Sequence, residues 1–274
     1  MAEVKRVCAA FFSATGTTKK VVTRMAETAA DRLHCPHQVF DFTLPQDRRQ
    51  PLRFDEADLV VFGVPVYAGR VPNVLLKFLD TLAGSGAAAI PAVLFGNRNY
   101  DDALIELRDI LHRTGFYPFA AAAFVGEHAF STALAAGRPD RADMAAAEEF
   151  ARSAADNISR VEGIPALIAV SGTPAPYRGY YQPRDAQGHP VDIRRVKPRT
   201  AAACDNCKAC AALCPMGSVS FEDVREVAGI CIKCGACVKR CPRQAKHFAD
   251  ADYLYHLREL EQRYARRAEP ECFL

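Results

Sequence analysis

No stretch of the 274 residues approaches the eighteen or so consecutive apolar positions that a membrane-spanning helix requires. Neither sign of charge dominates: 35 Lys and Arg against 32 Asp and Glu leave a formal net charge of +3, too mild to argue for nucleic acid or an anionic membrane surface as a partner. The N-terminal MAEVKRVCAAFFSATG has a short apolar run but no convincing small-residue cleavage site, so it reads as a first strand and not as a signal peptide. A cytoplasmic location is the expectation. In such a reducing compartment the eleven cysteines are not expected to form disulfides, and their odd number leaves one over in any case, so metal ligation explains them better.

What is present, over residues 4 to 126, is an alternation of short apolar runs with helical ones. VKRVCAAFF (4 to 12), QVFDF (38 to 42), DLVVFGV (58 to 64), IPAVLFG (90 to 96) and PFAAAAFVG (118 to 126) read as strands. Val21, Met25, Ala29 and Leu33 fall on one face of a helix that starts near Thr17, and NVLLKFLDTL (73 to 82) and DALIELRDILHRTG (102 to 115) read as helices. This alternation predicts a parallel sheet with helices on both faces. An Ala-rich segment, 138 to 162, predicts one more long helix, and the Pro-rich stretch 163 to 200 reads as a linker. The expected division is therefore 1 to 162 as the sheet domain, 163 to 200 as linker, 201 to 249 as a cysteine-rich domain and 250 to 274 as a helical tail.

The cysteine-rich part contains the one internal repeat found: Cys204, Cys207, Cys210 and Cys214-Pro215, then Cys231, Cys234, Cys237 and Cys241-Pro242. Paired C-x-x-C also builds zinc sites, but zinc needs four ligands and gives no reason for a third cysteine at the same interval or for the proline. A loop with a thiolate every third residue wraps three corners of a cube, and the fourth corner is reached from another segment. The repeat resembles the bacterial ferredoxin pattern, in which the last cysteine of each run serves the other cluster. That rule assigns Cys204, Cys207, Cys210 and Cys241 to one 4Fe-4S cluster, and Cys231, Cys234, Cys237 and Cys214 to a second. Residues 200 to 274 carry 11 basic against 10 acidic side chains, a balance that suits a tethered module better than a freely docking one. Of the other cysteines, Cys8 reads as core and Cys272 as tail, while Cys35 in HCPH lacks a complete ligand set.

FFSATGTTKK (11 to 20) follows the first strand and opens the first helix. Free N–H groups at a helix N-terminus, fronted by the hydroxyls of Ser13, Thr15, Thr17 and Thr18, make a site for a phosphate dianion. The loop is neither the Gly-Lys-Ser/Thr nucleotide motif nor the G-x-G-x-x-G fingerprint, and an ordinary helix cap is the plain alternative. Two further loops are expected at the same sheet edge, where ligands of open parallel sheets bind. Pro65, Val66, Tyr67, Ala68 and Gly69 follow the third strand; Gly96, Asn97, Arg98, Asn99, Tyr100 and Asp101 follow the fourth. Tyr67 and Tyr100 are suited to stack on a flat ring, and Asn97 and Asn99 to bond its polar edge. A ring with a monophosphate tail, FMN, fits this set.

The Ser13-Ala14-Thr15-Gly16-Thr17-Thr18 loop resembles the flavodoxin phosphate motif, with Thr17 where an asparagine is common. With the cysteine repeat, the whole chain is similar to bacterial and archaeal flavodoxin–ferredoxin fusion proteins, apart from 163 to 200. The resemblance implies an α/β flavodoxin-like doubly wound sheet of order 2-1-3-4-5, a small α+β two-cluster ferredoxin domain, FMN and electron transfer. A redox partner protein or a small-molecule acceptor is then expected. Two other readings stay open: an FMN-dependent reductase with Arg70 or Arg98 meeting an anionic substrate, and a flavin-free docking domain beside the clusters. No catalytic residue stands out by spacing.

Overall fold

A computed structural model describes residues 3–161, 163 and 166–274. The five apolar runs form the sheet: β1 (Arg6–Phe11), β2 (His37–Asp41), β3 (Asp58–Pro65), β4 (Ala88–Phe95) and a last run split into β5 (Tyr117–Pro118) and β6 (Ala121–Val125). All pair in parallel in the order β2-β1-β3-β4, with β5 and β6 both beside β4. This is the doubly wound 2-1-3-4-5 order expected.

Strand geometry explains the two-sided burial. Successive side chains of β1 point to opposite faces: Val7, Ala9 and Phe11 join one apolar core and Cys8, Ala10 and Phe12 the other. The first core is closed by α1 (Thr17–Leu33) and by the long helix α4 (Arg141–Arg160), whose Ala147, Phe150, Ala151, Ala154, Ala155 and Ile158 face inward. The helix expected over 138 to 162 starts later because Asp140 caps it, accepting from Ala142 and Asp143 while Asp143 returns the bond to the Asp140 N–H. Its expected last residue, 162, lies outside the described residues.

The second core is covered by α2 (Leu76–Leu79) and α3 (Ala103–Arg113). The helix expected over 73 to 82 is reduced to α2 behind a single 3-10 turn at Asn73–Leu75.

The cysteine-rich region holds two short helices, α5 (Ala209–Ala212) and α6 (Ala236–Lys239), and a two-stranded sheet of β7 (Arg199–Thr200) and β8 (Lys246–His247). The segment 250 to 274 reads from sequence as a helical tail. Only α7 (Ala251–Arg263) is helical, and the last residues form β9 (Glu271–Phe273), which adds to the large sheet antiparallel to β6. Three residues are too few to display a strand period, and the pairing lies some 150 residues away in sequence.

The linker is strapped to the sheet domain. Tyr177 donates to Asp109 (2.9 Å), Tyr180 to the Val71 carbonyl (2.8 Å), and Arg178 pairs with the buried Asp102. No helix among the described residues is long and apolar enough to cross a membrane.

Candidate functional site

Gly16, the cap residue of α1, ends the loop after β1 at φ 99° and has no side chain to offer as a cap. A Cβ at Gly16 would meet nothing within 4 Å, so the glycine is required by its left-handed backbone and the space beside it is open. Ser13 is fixed on both sides, its N–H donating to Thr43 Oγ1 (2.8 Å) and its Oγ accepting from the Lys19 N–H (3.0 Å). Ser13 Oγ takes the Lys19 N–H, and the N–H groups ahead of it at this glycine-fronted helix terminus are the kind of donor set a phosphate needs, so Ser13 to Thr18 fit the tail of FMN.

The loop after β3 closes as a two-residue turn in which Tyr67 and Arg70 exchange backbone bonds of 3.0 and 3.1 Å. Ala68 at φ 52° and Gly69 at φ 78° supply its two positive angles. Gly69 also lies so close to the Asp101 carboxylate that no Cβ fits, and its carbonyl accepts from the Asp102 N–H (3.0 Å). The two ring loops therefore interlock at the sheet edge, with Pro65 and Val66 leading into the first.

Side chains of the second loop are largely spent on the protein itself. Asn97 donates to the carbonyls of Tyr264 and Arg266 (2.6 Å each) and accepts from the Ala268 N–H (3.1 Å), holding the segment between α7 and β9. Arg98 pairs with Asp101 and lies over the Tyr181 ring at 4.8 Å. Asn99 accepts from the Asp101 N–H (2.7 Å). Tyr100 packs on Phe95 in the core and donates to Glu271 of β9. Its ring thus faces inward, away from the stacking role expected, because the unforeseen β9 brings it an acceptor. Tyr67 stays at the loop as the aromatic candidate. Arg70 is no free anion contact either: it is bidentate to Glu106 (2.7 Å twice) and lies over Tyr177 and Tyr180.

His128 sits directly against Gly96, where any Cβ would collide with it. Burial, then the charges of Lys239, His256 and Arg98, pushes its pKa down to about 4. The unfolded chain, with an ordinary His near 6.5, binds more protons between these values. His128 therefore leaves stability intact above pH 6.5 and removes it as pH falls toward 4. Thermal melts should show that loss, up to about 3 kcal/mol, and His128→Asn should flatten it.

The two cysteine runs repeat one backbone. Asn206 and Lys233, each before the last C-x-x-C spacing, have φ 59° and 52°; Lys208 and Gly235 open α5 and α6 at 66° and 76°. Past the fourth cysteines, Gly217 and Gln244 turn back at φ 60° and 50°, donating to the carbonyls of Cys214 and Cys241 (3.0 Å each). Backbone N–H groups then point at sulfur: Ser218 at Cys214 (3.3 Å), Ala245 at Cys241 (3.3 Å) and Asn206 at Cys204 (3.4 Å).

Cysteines of the two runs meet. Cys214 of the first and Cys231, Cys234 and Cys237 of the second line one cavity, closed by Ile232 and Phe248. Burial pushes the Cys234 and Cys237 thiols up to about 12, so a thiolate there is costly without a neighbouring positive charge. For the other set, Asp205 between Cys204 and Cys207 pairs with Arg243 beside Cys241 (2.7 Å), while Cys210 is buried and Cys207 exposed. Four thiols around one enclosed space fit a cubane with three ligands from one run and one from the other. Among the described residues no His, Cys, Asp or Glu group is gathered for a single metal ion, the His34, Cys35 and His37 triplet included.

Two buried lysines were not singled out by the sequence. Lys233, between Cys231 and Cys234, donates to the carbonyls of Arg194 and Cys231 (2.8 Å each), while Lys246 donates to Val224 and its charge acts on both Cys210 and Cys237. Lysine is rarely buried, and here each ammonium offsets the negative charge that thiolates bring.

The set containing Cys234 abuts the sheet domain. Ile232, Cys234 and Ala236 pack into the same core as Val66 and Tyr67. The Tyr67 phenol is pushed up by burial and then by the charges of Cys234 and Cys231. Lys239 pairs with Glu127 and donates to the Ser131 carbonyl (2.7 Å), and Arg48 donates to the Pro215 carbonyl (2.6 Å).

Comparison with known proteins finds two family models on separate parts of the chain. A flavodoxin-domain family model matches residues 9–96, and a 4Fe-4S dicluster-domain model matches 203–246. Similar solved structures include a flavodoxin from the domain Archaea (14% identity, 57% of this chain and 99% of that one, TM-score 0.40). The Streptococcus pneumonia TIGR4 flavodoxin (21%, 56% and 99%, 0.39) and flavodoxin 1 from Bacillus cereus (15%, 58% and 100%, 0.39) are others. No curated protein matches. A flavodoxin domain implies FMN and a dicluster domain two 4Fe-4S clusters, so the chain carries the two domains of a flavodoxin–ferredoxin fusion, which supports an electron-transfer flavo-iron-sulfur protein.

Proposed function

We propose that the protein passes single electrons between a redox partner and FMN by way of its two clusters, in the order partner, outer set, inner set, flavin loops. The outer set is Cys204, Cys207, Cys210 and Cys241; the inner set is Cys214, Cys231, Cys234 and Cys237. Clusters exchange one electron at a time, whereas flavin holds one or two, which matches single-electron and two-electron chemistry. The observation that carries this reading is the inner cavity itself, with Tyr67 of the expected flavin loop packed on the same core as its Cys234. The exposure of Cys207 supports the outer set as the point of contact for a partner. Holding both centres on one chain removes a docking step.

On this reading residues 1 to 162 form the FMN domain, 163 to 200 the strap, 201 to 249 the two-cluster domain, and 250 to 274 a tail that returns to the sheet. Phosphate is held by Ser13 to Thr18. Tyr67, with the backbone of residues 65 to 69 and 96 to 101, borders the ring. A reductase of an anionic organic substrate is less well supported, since Arg70 and Arg98 both have carboxylate partners.

Anaerobic reconstitution of the full chain should yield about eight irons with matching sulfide and one FMN. Zinc in place of iron would end the cluster assignment, and a chain that takes up no flavin would end the FMN one. Thr17→Glu, which sets a carboxylate at the helix terminus in competition with phosphate, should weaken FMN binding at least about tenfold by fluorescence titration, a cost of about 1.4 kcal/mol. Its iron content should be unchanged.

A further inference from the structure

Tyr253 projects from the inner face of α7, beside His256 and Leu260. It is 1% exposed, with its ring between Phe130 (centroids 4.8 Å) and Phe248 (4.5 Å). Its hydroxyl has no hydrogen-bond partner among the described residues. Buried hydroxyls nearly always find one, and Tyr100, Tyr177 and Tyr180 all do.

The surroundings of the orphan hydroxyl identify what is missing. Phe248, on which the ring packs, lines the cavity bounded by Cys214, Cys231, Cys234 and Cys237. After burial, the groups that act on the phenol are the charges of Cys231, Cys237 and Cys234, all from that one set. The ring therefore packs on a wall of the inner cavity, and as no thiol there accepts from its hydroxyl, the sulfur of a cluster filling the cavity is the acceptor to consider. A hydrogen bond to cluster sulfur stabilises the reduced, more negative state more than the oxidised one.

We propose that the Tyr253 hydroxyl donates a hydrogen bond to a sulfur of the cluster held by Cys214, Cys231, Cys234 and Cys237, and so raises the reduction potential of that cluster and not of the other. This rests on the two-cluster reading above. Tyr253 acts through the cluster and is a positioning residue for its charge, not a ligand.

The test uses the reconstituted full chain, wild type and Tyr253→Phe, with iron and sulfide counted before potentiometric titration followed by electron paramagnetic resonance. Tyr253→Phe should retain about eight irons, lower one midpoint potential by the equivalent of about tenfold in the one-electron equilibrium, about 59 mV, and leave the other in place. Electron–nuclear double resonance of the wild type in H2O and D2O needs no variant, and should show an exchangeable proton coupled to the reduced inner cluster. That coupling should vanish in Tyr253→Phe. Eight irons with unmoved potentials and the same proton coupling would overturn the inference alone. A wild type that binds four irons or none would overturn the two-cluster reading and the inference together.

Discussion

Cys214→Ala should halve the iron content, from about eight to about four per chain, and give the same residual resonance spectrum as Cys231→Ala, although the two residues belong to different runs. The reason is the shared cavity: Cys214 lines it together with Cys231, Cys234 and Cys237. Cys241→Ala should instead match Cys204→Ala, because Arg243 beside Cys241 is paired with Asp205 beside Cys204. If each run held a cluster by itself, Cys214→Ala would match Cys204→Ala. The spectra of these four variants therefore separate crossed from uncrossed ligation. In the inner-set variants, electrons supplied to the remaining outer cluster should no longer reach FMN within the chain.

Gly235→Ala carries the second large effect. Gly235 and Lys208 occupy equivalent places in the two runs, at φ 76° and 66°. A lysine tolerates that backbone in the first run, so conformation alone does not demand glycine in the second. Contact does: a Cβ on Gly235 would lie closer than 3.0 Å to the carbonyl oxygen of Ala129, in the loop after β6. The methyl group can be accepted only by pushing α6 from the sheet domain, against the pull of the Lys239–Glu127 ion pair. Overpacking of this kind costs about 1–3 kcal/mol, and should appear as a lowered melting temperature. Iron and FMN contents should be retained while the intramolecular transfer rate falls. The matched substitution Lys208→Ala, at a side chain that donates to the Glu222 carbonyl within the cysteine-rich region, should leave that rate unchanged.

Local pattern carried much of this into the sequence. The apolar runs of β1, β3 and β4 are bounded and buried on both faces, so they stand out without any tertiary information. Cysteine spacing is likewise local, and so is the Ser-Ala-Thr-Gly loop at the head of α1. The parts that escaped notice depend on residues far apart in the chain. Tyr100 looks like a loop aromatic until β9 returns to provide Glu271 as its acceptor. Arg70 and Arg98 look like free surface cations until the linker lays Tyr177, Tyr180 and Tyr181 over them. Asn97 reads as a ligand contact, yet its amide holds the chain between α7 and β9. Lys233 and Lys246 gave no signal, since lysine in sequence argues for exposure; their burial makes sense beside sulfur ligands.

The direct test of the relay is the time course of reduction in the reconstituted full chain after a pulse that delivers less than one electron per molecule. Cluster bleaching should come first, and flavin reduction should follow at a rate independent of protein concentration, because Cys234 of the inner set and Tyr67 share one packed core. A flavin rate that rises in proportion to protein concentration would mean that electrons travel between molecules, and would contradict the proposed path.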